Sequence, residues 1–490
     1  MDKSLLERCE AEALNLSGAI QPHGTLFVVD AAGQVSHVAQ NIAAFFGQRP
    51  QAWLDRPLPE PLTRLAAELG PEPGSRRVWE ACVEAGPRLL DAIASRGMNG
   101  TAVFELVPHL DVPTIAPAPS SLPVEPPADE SELAALRQHL VEEIAALTGF
   151  PRVMFYLFRE DGDGEVVAES HDPSAYGSYL GLRFPASDIP QIARALYLKN
   201  PWRMIPDARA EPIPLVGRTA EPPDLTWSDL RSVSPVHRVY LANMGVVASL
   251  SFPVVVGGAL VALVAAHHRQ ASLLPTFLLE RASACVRSHA IAFAGYQSQR
   301  RMRLVDGLQY RFSAVTNLLR RHGGIESAWP ELAAWLMREF AADGVLLIGG
   351  EDCLAAGLAL EPAALEAVEA WFAATGDFVR SCDSLRREVP GFPLSAAAGL
   401  LALRIGIPGA ERSWRLYLTR CEYVHEVAWG GNPEKPVEYH DGELGIAPRR
   451  PFEKWIEKRL GYSRPWDNEA RLLALKLREL LQHEMRFGPH

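Results

Sequence analysis

No stretch of this chain is apolar for long enough to cross a membrane. The longest, Val254 to Ala266, is 13 residues interrupted by Gly257-Gly258, against the roughly 20 that a spanning helix needs. A cationic excess is missing as well: 48 Lys and Arg stand against 59 Asp and Glu, a net charge of −11. That balance argues against nucleic-acid binding, which relies on clustered cations. Cysteine is scarce and scattered. The six (Cys9, Cys82, Cys285, Cys353, Cys382, Cys421) form no CxxC and no paired spacing, which excludes a disulfide framework and a thiolate zinc site. The N-terminal MDKSLLERCEAE is too charged for a secretory leader, so the expected compartment is the cytoplasm.

The common catalytic signatures are missing too. There is no Walker loop, no GxGxxG after a strand, no GxSxG elbow and no HExxH. GGEDC (Gly349 to Cys353) resembles a cyclase signature only in composition, because its residue order differs. His267 and His268 are adjacent on a strand-like segment and would point to opposite faces, so they cannot grip one metal ion.

What is present is a globular composition, 48% hydrophobic and 22% charged, and a length that suggests about three domains. Pro108 to Ala128 holds seven prolines in 21 residues; with φ fixed and no N–H, such a run reads as an extended linker. A first domain therefore ends near Val107. A second Pro-rich stretch, Pro201 to Pro235, is also rich in Arg, Trp and apolar residues, which suits an ordered loop inside a domain. Thr25 to Asp30 reads as a strand. Ser131 to Phe150 reads as an amphipathic helix capped by Ser131, with Leu133, Leu136, Leu140, Ile144 and Leu147 on one face and Gly149 at its end. Arg152 to Phe158 is strand-like, a second strand follows DGDG, and Ala248 to His268 reads as two apolar strands joined by a Gly-Gly turn. These elements make an α+β domain of antiparallel sheet and helices, roughly residues 130–298. No proline occurs from Thr276 to Arg321, 46 residues. One helix there would span about 70 Å, and two shorter helices with a break near Gly307 are the alternative. The third domain closes with an amphipathic helix, Asp467 to Phe487.

Two constellations could carry chemistry. PASDIPQIARALY places Ser187 and Asp188 at a helix start with Pro190 in the first turn. Arg231, Ser234, His237, Tyr240, Ser249 and Ser251 crowd into 21 residues. An arginine, hydroxyls and imidazoles beside apolar strands are what a pocket needs to hold an anionic, flat, conjugated ligand.

At these residues the chain resembles a known family. CEAEALNLSGAIQPHG (Cys9 to Gly24), FPASDIPQIARALY (Phe184 to Tyr197), RSVSPVHRVYLANMGV (Arg231 to Val246) and AAHH (Ala265 to His268) look like the bacteriophytochromes. WGGNPEKPVEYHDGELGIAPRRPFEKW (Trp429 to Trp455) resembles the tongue hairpin of their PHY domain. The resemblance covers essentially the whole chain. It implies a PAS domain with an attachment segment at 1–107, a linker at 108–129, a GAF bilin-binding domain at 130–298 and a PHY domain at 299–490 with its tongue at about 425–466. It also implies a long helical spine and a figure-of-eight knot between PAS and GAF, with Ile20 threaded through the 201–235 loop.

The implied function is a red/far-red photoreceptor that binds biliverdin IXα, a linear tetrapyrrole, covalently at Cys9 and isomerises it in light. By the same resemblance, the Asp188 carbonyl faces the pyrrole nitrogens, beside Ile189 and Pro190. His237 organises the pyrrole water, and His267 reaches the ring-D carbonyl. Arg203 and Arg231 hold propionates, with Ser234, Ser249, Ser251 and Tyr197 beside them, while Tyr156, Phe184 and Tyr240 cage ring D. Arg449 of the tongue pairs with Asp188. No metal and no catalytic residue is implied. The expected partners are a second copy through the helical spine and a response regulator or output domain, with neither nucleic acid nor membrane.

One departure stands out. The family's tongue motif is Pro-Arg-any-Ser-Phe, and this chain has Pro448-Arg449-Arg450-Pro451-Phe452, so the serine is proline, without hydroxyl or N–H. Two other readings therefore stay open: a light-regulated histidine kinase whose output module lies outside this chain, because no ATP-lid glycines or H-box follow the third domain, and a bilin-binding member with an impaired photocycle.

Overall fold

The computed structural model describes residues 13–111, 125–174, 177–349, 352–406, 413–431 and 454–487. They group into two compact units, within 1–297 plus 428–455 and within 298–427 plus 456–490. Cys9, most of the Pro-rich 108–129 segment, Arg449 and Pro451 lie outside the described residues.

In the first unit, a seven-stranded sheet runs in the order Ala19–Ile20, Ile213–Gly217, Val35–Ala39, Thr25–Val29, Ala102–Pro108, Arg88–Arg96, Arg76–Ala85. Its second strand comes from the Pro-rich 201–235 loop. Ile20 pairs with Ile213 on one side and bridges Arg231 on the other. The same flanking extends along the segment: Leu215 N–H donates to Gly18 O at 2.9 Å, and Leu225 N–H to Asn15 O at 2.8 Å. Residues 15–21 thus lie between the two arms of that loop, an arrangement consistent with the threading expected for Ile20.

A second sheet in this unit runs Arg203–Ile205, Ala248–Val256, Ala259–His268, Arg152–Phe158, Gly164–His171, Arg183–Phe184. The Ala248–His268 hairpin is as expected. Gly257 and Gly258 turn it with φ of 58° and 80°, a left-handed pair that residues with a Cβ adopt only at a cost. Two helix starts differ from expectation. The helix Glu130–Thr148 is capped by Asp129, whose carboxylate accepts from Ser131 N–H and Glu132 N–H at 2.9 Å; an ionised acceptor suits the positive helix end better than the Ser131 hydroxyl. Ser187 and Asp188 belong to a separate 3₁₀ turn, Ala186–Asp188, and Pro190 is the cap of the helix Gln191–Tyr197. The X-Pro restriction on Ile189 explains the break, because the residue before proline is driven out of helical space; Ile189 has φ −129° and ψ 87°.

Thr276–His322 is one helix of 47 residues, continuous through Gly307. A single glycine costs only about 1 kcal/mol in a helix, which packing on both sides outweighs. Leu279, Ala282 and Val286 pack on the second sheet, and Leu308, Phe312, Val315 and Leu319 enter the core of the second unit.

The second unit repeats the antiparallel strand order of the preceding sheet: Asp352–Gly357, Gly344–Gly349, Ser413–Cys421, Ala397–Gly406, Val379–Cys382. Period-2 alternation separates its faces. Val345, Leu347, Leu401, Leu403, Leu416 and Leu418 meet the helices Ile325–Glu339 and Asn468–Phe487. Leu346, Leu400, Ala402 and Tyr417 are covered by Trp371 and Phe372 of the helix Pro362–Ala373. Arg420, buried, ties this unit's ends together. It donates to Phe340 O, Ala341 O, Arg464 O and Pro465 O at 2.6–3.1 Å and stacks on Trp466 at 3.6 Å. Arg420→Ala is expected to destabilise the chain by about 3–5 kcal/mol, since several buried carbonyls lose a charged donor at once. Urea titration checks this, and a loss under about 1 kcal/mol would contradict it.

Candidate functional site

Residues paired directly across strands share a sheet face. Arg203 pairs with Ser251 and Ile205 with Ser249; Ser249 pairs with His267 and Ser251 with Ala265; Leu263 pairs with Tyr156 and His267 with Arg152. One face of the sheet therefore gathers Arg203, Ser249, Ser251, His267, Arg152, Ala265 and Tyr156. The intervening residues, among them Leu250, Phe252, Val264, Ala266, Val153 and Phe155, form the core under Leu140, Val141 and Ile144. His268 points to this opposite side, against Phe150 at 5.8 Å.

The site has an aromatic end. Tyr156, Phe184, Met154, Tyr179, Leu182 and Leu263 form one cluster, with Ile189, Tyr197 and Ala428 packed against it. Tyr156 and Phe184 lie 5.9 Å apart between ring centroids. The helix Pro235–Asn243, with Ser234 at its cap position, presents His237 and Tyr240 as a stacked pair at 6.0 Å and 15°. Tyr240 Oη donates to Asp188 Oδ2 at 3.3 Å, which brings Asp188, His237 and Tyr240 together. Trp429, at the start of the tongue sequence, pairs in parallel with Arg183. A Cβ on Gly430 would lie 2.5 Å from the Phe184 ring, so this tight approach requires glycine.

The other end is ionic. Tyr197 is hydrogen-bonded to Ser251 and lies near Arg203 and Arg231; burial raises its pKa. Arg203 Nη2 donates to Arg231 O at 2.6 Å and Ser232 O at 3.2 Å, and Nη1 donates to Asp229 O. Arg231 Nη1 donates to Leu225 O at 3.3 Å. Both guanidiniums thus hold the loop closed. The three bonds of Arg203 leave two of its five N–H donors for a ligand. Burial, then the neighbouring Arg203, lowers the Arg231 pKa to about 9.

Sequence reasoning missed the groups behind these arginines. Asp229 Oδ1 accepts from Met204 N–H at 3.0 Å and Oδ2 from Trp202 Nε1 at 3.2 Å. Glu105, on the first sheet, accepts from Ser228 Oγ at 2.5 Å and Leu230 N–H at 2.6 Å. Arg76 stacks over Trp202 at 4.6 Å. Asp229 meets its partners across 25 and 27 positions and Glu105 meets Ser228 across 123, so no local pattern announces them. Arg152 was missed too. It is buried, pairs with Glu169 at 3.4 Å and stacks on Tyr179 at 3.8 Å.

The histidines are held neutral. Burial lowers His237 to about 4, burial with Arg152 nearby lowers His267 to about 3, and burial with Arg203 nearby lowers His23, of the Gln21-Pro22-His23-Gly24 turn, to about 3. His267 Nδ1 is buried and has no hydrogen-bond partner among the described residues. A buried imidazole nitrogen without a partner costs free energy that a polar ligand atom would recover. An apolar aromatic wall, an ionic end and that nitrogen fit an elongated conjugated ligand bearing carboxylates.

Comparison with known proteins places the chain in a family. The model of the PAS fold matches residues 9–109, that of the GAF domain 132–288 and that of the phytochrome region 313–486. The bacteriophytochrome of Pseudomonas aeruginosa is 33% identical over 96% of this chain, and this chain covers 66% of its length. The bacteriophytochrome of Xanthomonas campestris pv. campestris is 30% identical over 97% of this chain and 78% of its own length. The crystal structure of a bacteriophytochrome from R. palustris superposes with a TM-score of 0.80 at 27% identity, covering 98% of this chain and 99% of that one. The Stigmatella aurantiaca phytochrome photosensory core module gives a TM-score of 0.80 at 28% identity, covering 98% of this chain and 99% of that one. The matched domains and the structural neighbours together are those of a phytochrome photosensory core module. The chain belongs to the bacteriophytochrome family, and membership implies a linear tetrapyrrole chromophore. Among the described residues, no helix is long and apolar enough to cross a membrane.

The depressed histidines predict a pH dependence with a definite sign. The unfolded chain protonates them near pH 6.5, whereas the fold resists until about pH 3–4. Stability they contribute is complete above about pH 6.5 and is lost as pH falls toward 4. The urea midpoint of the bilin-free chain should drop across that window, with a shallower drop in His267→Gln. Equal slopes in both proteins would remove His267 from the account.

Proposed function

We propose that this chain is the light-sensing part of a red/far-red photoreceptor that carries biliverdin IXα, joined covalently through Cys9. The observation that carries this reading is the divided pocket face, apolar at Tyr156 and Phe184, ionic at Arg203 and Arg231, with the unpartnered His267 Nδ1 between strands. Bound there, biliverdin supplies a methine double bond between rings C and D that isomerises on absorbing light. The residues of this chain hold and orient it. Arg203, Arg231, Tyr197, Ser234, Ser249 and Ser251 would receive the propionates, the Asp188 carbonyl with Ile189 and Pro190 would meet the pyrrole nitrogens, and His237 would order water there. His267 would hydrogen-bond ring D inside the cage of Tyr156, Phe184 and Tyr240. Arg449 would pair with Asp188 and carry the change to the tongue. The domain limits 1–107, 130–298 and 299–490 belong to the same proposal.

Since the chain spans 66% of the length of the first relatives it matches, the activity of the whole protein is also a proposal. Its signal passes to an output module, such as a histidine kinase, or to a separate response regulator. Exposed Ile291, Met302 and Val305 on the helix Thr276–His322 support a homodimer through that helix, and a cytoplasmic location fits the whole.

Two outcomes test the reading. Cys9→Ala should still take up biliverdin, because the pocket supplies most contacts, but should lose the zinc-fluorescent band on a denaturing gel; a retained band moves the attachment elsewhere. Pro451→Ser restores a hydroxyl worth about 1.5–3 kcal/mol as a hydrogen bond to a charged group. It also removes a residue that costs about 3 kcal/mol inside a helix. It should raise photoproduct yield or slow dark reversion, followed by far-red absorbance after saturating red light. Unchanged yield and rate would make Pro451 silent and remove the impaired-photocycle reading.

A further inference from the structure

Behind the ionic end of the pocket stands a cation from the other sheet. Arg76 is two positions from Val78, Val78 pairs with Ile93, and Ile93 pairs with Glu105. Positions two apart on a strand share a face, as do direct cross-strand partners. Arg76 and Glu105 therefore stand on one face of the first sheet, the face whose Leu26 and Ile93 pack in one core with Trp202 and Leu230 of the 201–235 loop.

The Arg76 guanidinium lies 4.6 Å from the centroid of Trp202, a distance at which a cation and an indole face attract. Trp202 Nε1 donates to Asp229 Oδ2 at 3.2 Å, and the Asp229 carbonyl accepts from Arg203 Nη1. Arg76 thus backs the residue next to Arg203 and the acid behind it. Its Nε and Nη2 are buried and donate to no atom of the described residues. Its charge acts on Glu105 and Asp229 together, opposing in both the upward push of burial.

The charge balance of this end depends on that cation. Arg76, Arg203 and Arg231 act on Glu105 and Asp229, three cations on two anions. Glu280 of the long helix also faces Arg76 but is exposed, so water screens it. Two propionates would bring the cluster to one negative charge. Without Arg76 it would reach two, and Glu105 and Asp229 would compete with the propionates for Arg203 and Arg231. At an effective dielectric near 20, one unit charge at about 10 Å changes an equilibrium about tenfold or more.

We propose that Arg76 is a positioning residue: it offsets Glu105 and Asp229 from the other sheet, leaving Arg203 and Arg231 to the carboxylates of the chromophore, so that the pocket selects a bilin with free propionates. This inference rests on the reading of Arg203 and Arg231 given above.

The test compares biliverdin with its dimethyl ester, which lacks both carboxylate charges. Affinities are read by absorbance titration of the full chain carrying Cys9→Ala, so that binding is reversible. In this parent, Arg76→Met should weaken binding of biliverdin about tenfold and leave that of the ester within about twofold. Arg76→Lys keeps the charge and should keep the parent's preference for the free acid. Arg76→Met combined with Glu105→Gln removes cation and anion together and should restore that preference. The double variant also decides the matter if the single one does not fold, since replacing a buried pair is tolerated where breaking it is not. Equal weakening of acid and ester would make Arg76 a packing residue and overturn the proposal, as would loss of the acid preference in Arg76→Lys or in the double variant. Failure of the parent to bind biliverdin would overturn the functional reading and this inference with it, whereas an unselective Arg76→Met in a parent that binds biliverdin overturns the inference alone.

Discussion

Glu105 is where two domains become one unit. It stands on a strand of the first sheet, buried, and its Oε1 accepts both the Ser228 hydroxyl and the Leu230 N–H from the loop of the second domain. Burying a carboxylate is costly unless cations and donors surround it. Burial accordingly pushes Glu105 and Asp229 up, and Arg76 opposes the shift in both. The loop so anchored closes around Gln21, whose Nε2 donates to Met204 O at 2.9 Å and Asp229 O at 3.0 Å. Remove this ionic clasp and the strand Ile213–Gly217, the path of residues 15–21 and the placement of Arg203 lose their common support.

The same clasp fixes in place the arginines that we propose receive the propionates. An arginine searching through rotamers loses much of its binding energy to ordering, whereas one already tied to backbone carbonyls does not. Arg203 and Arg231 are tied in that way. Their remaining donors sit beside Tyr197 and Ser251 at the ionic end of the pocket.

The repeated strand order in the two units is put to different ends. In the second unit the face equivalent to the pocket is filled by Trp371, Phe372 and Tyr417. In the first, the short helix Gln191–Tyr197 and the 3₁₀ turn Ala186–Asp188 stand at the rim instead, so polar groups line the same face. Topology decides that a face exists, and the helices that cover it decide whether it becomes core or site.

Much of this was readable along the chain, because the signals are local. The Gly257-Gly258 hairpin follows from turn chemistry, the opposite facing of His267 and His268 from strand pleating, and the unbroken helix Thr276–His322 from an absence of proline. The grouping of Asp188, His237, Tyr240 and His267 was legible only through resemblance, since 79 positions separate the first from the last and no periodicity joins them. The caps were misjudged where two acceptors competed, as with Ser131 and Asp129, and where a proline moved the helix start from Ser187 to Gln191. Glu105, Arg76, Asp229 and Arg152 were not legible at all. Their roles arise from burial and from partners across strands or domains. A charged residue in a sequence gives no sign of being desolvated until the fold has chosen what surrounds it.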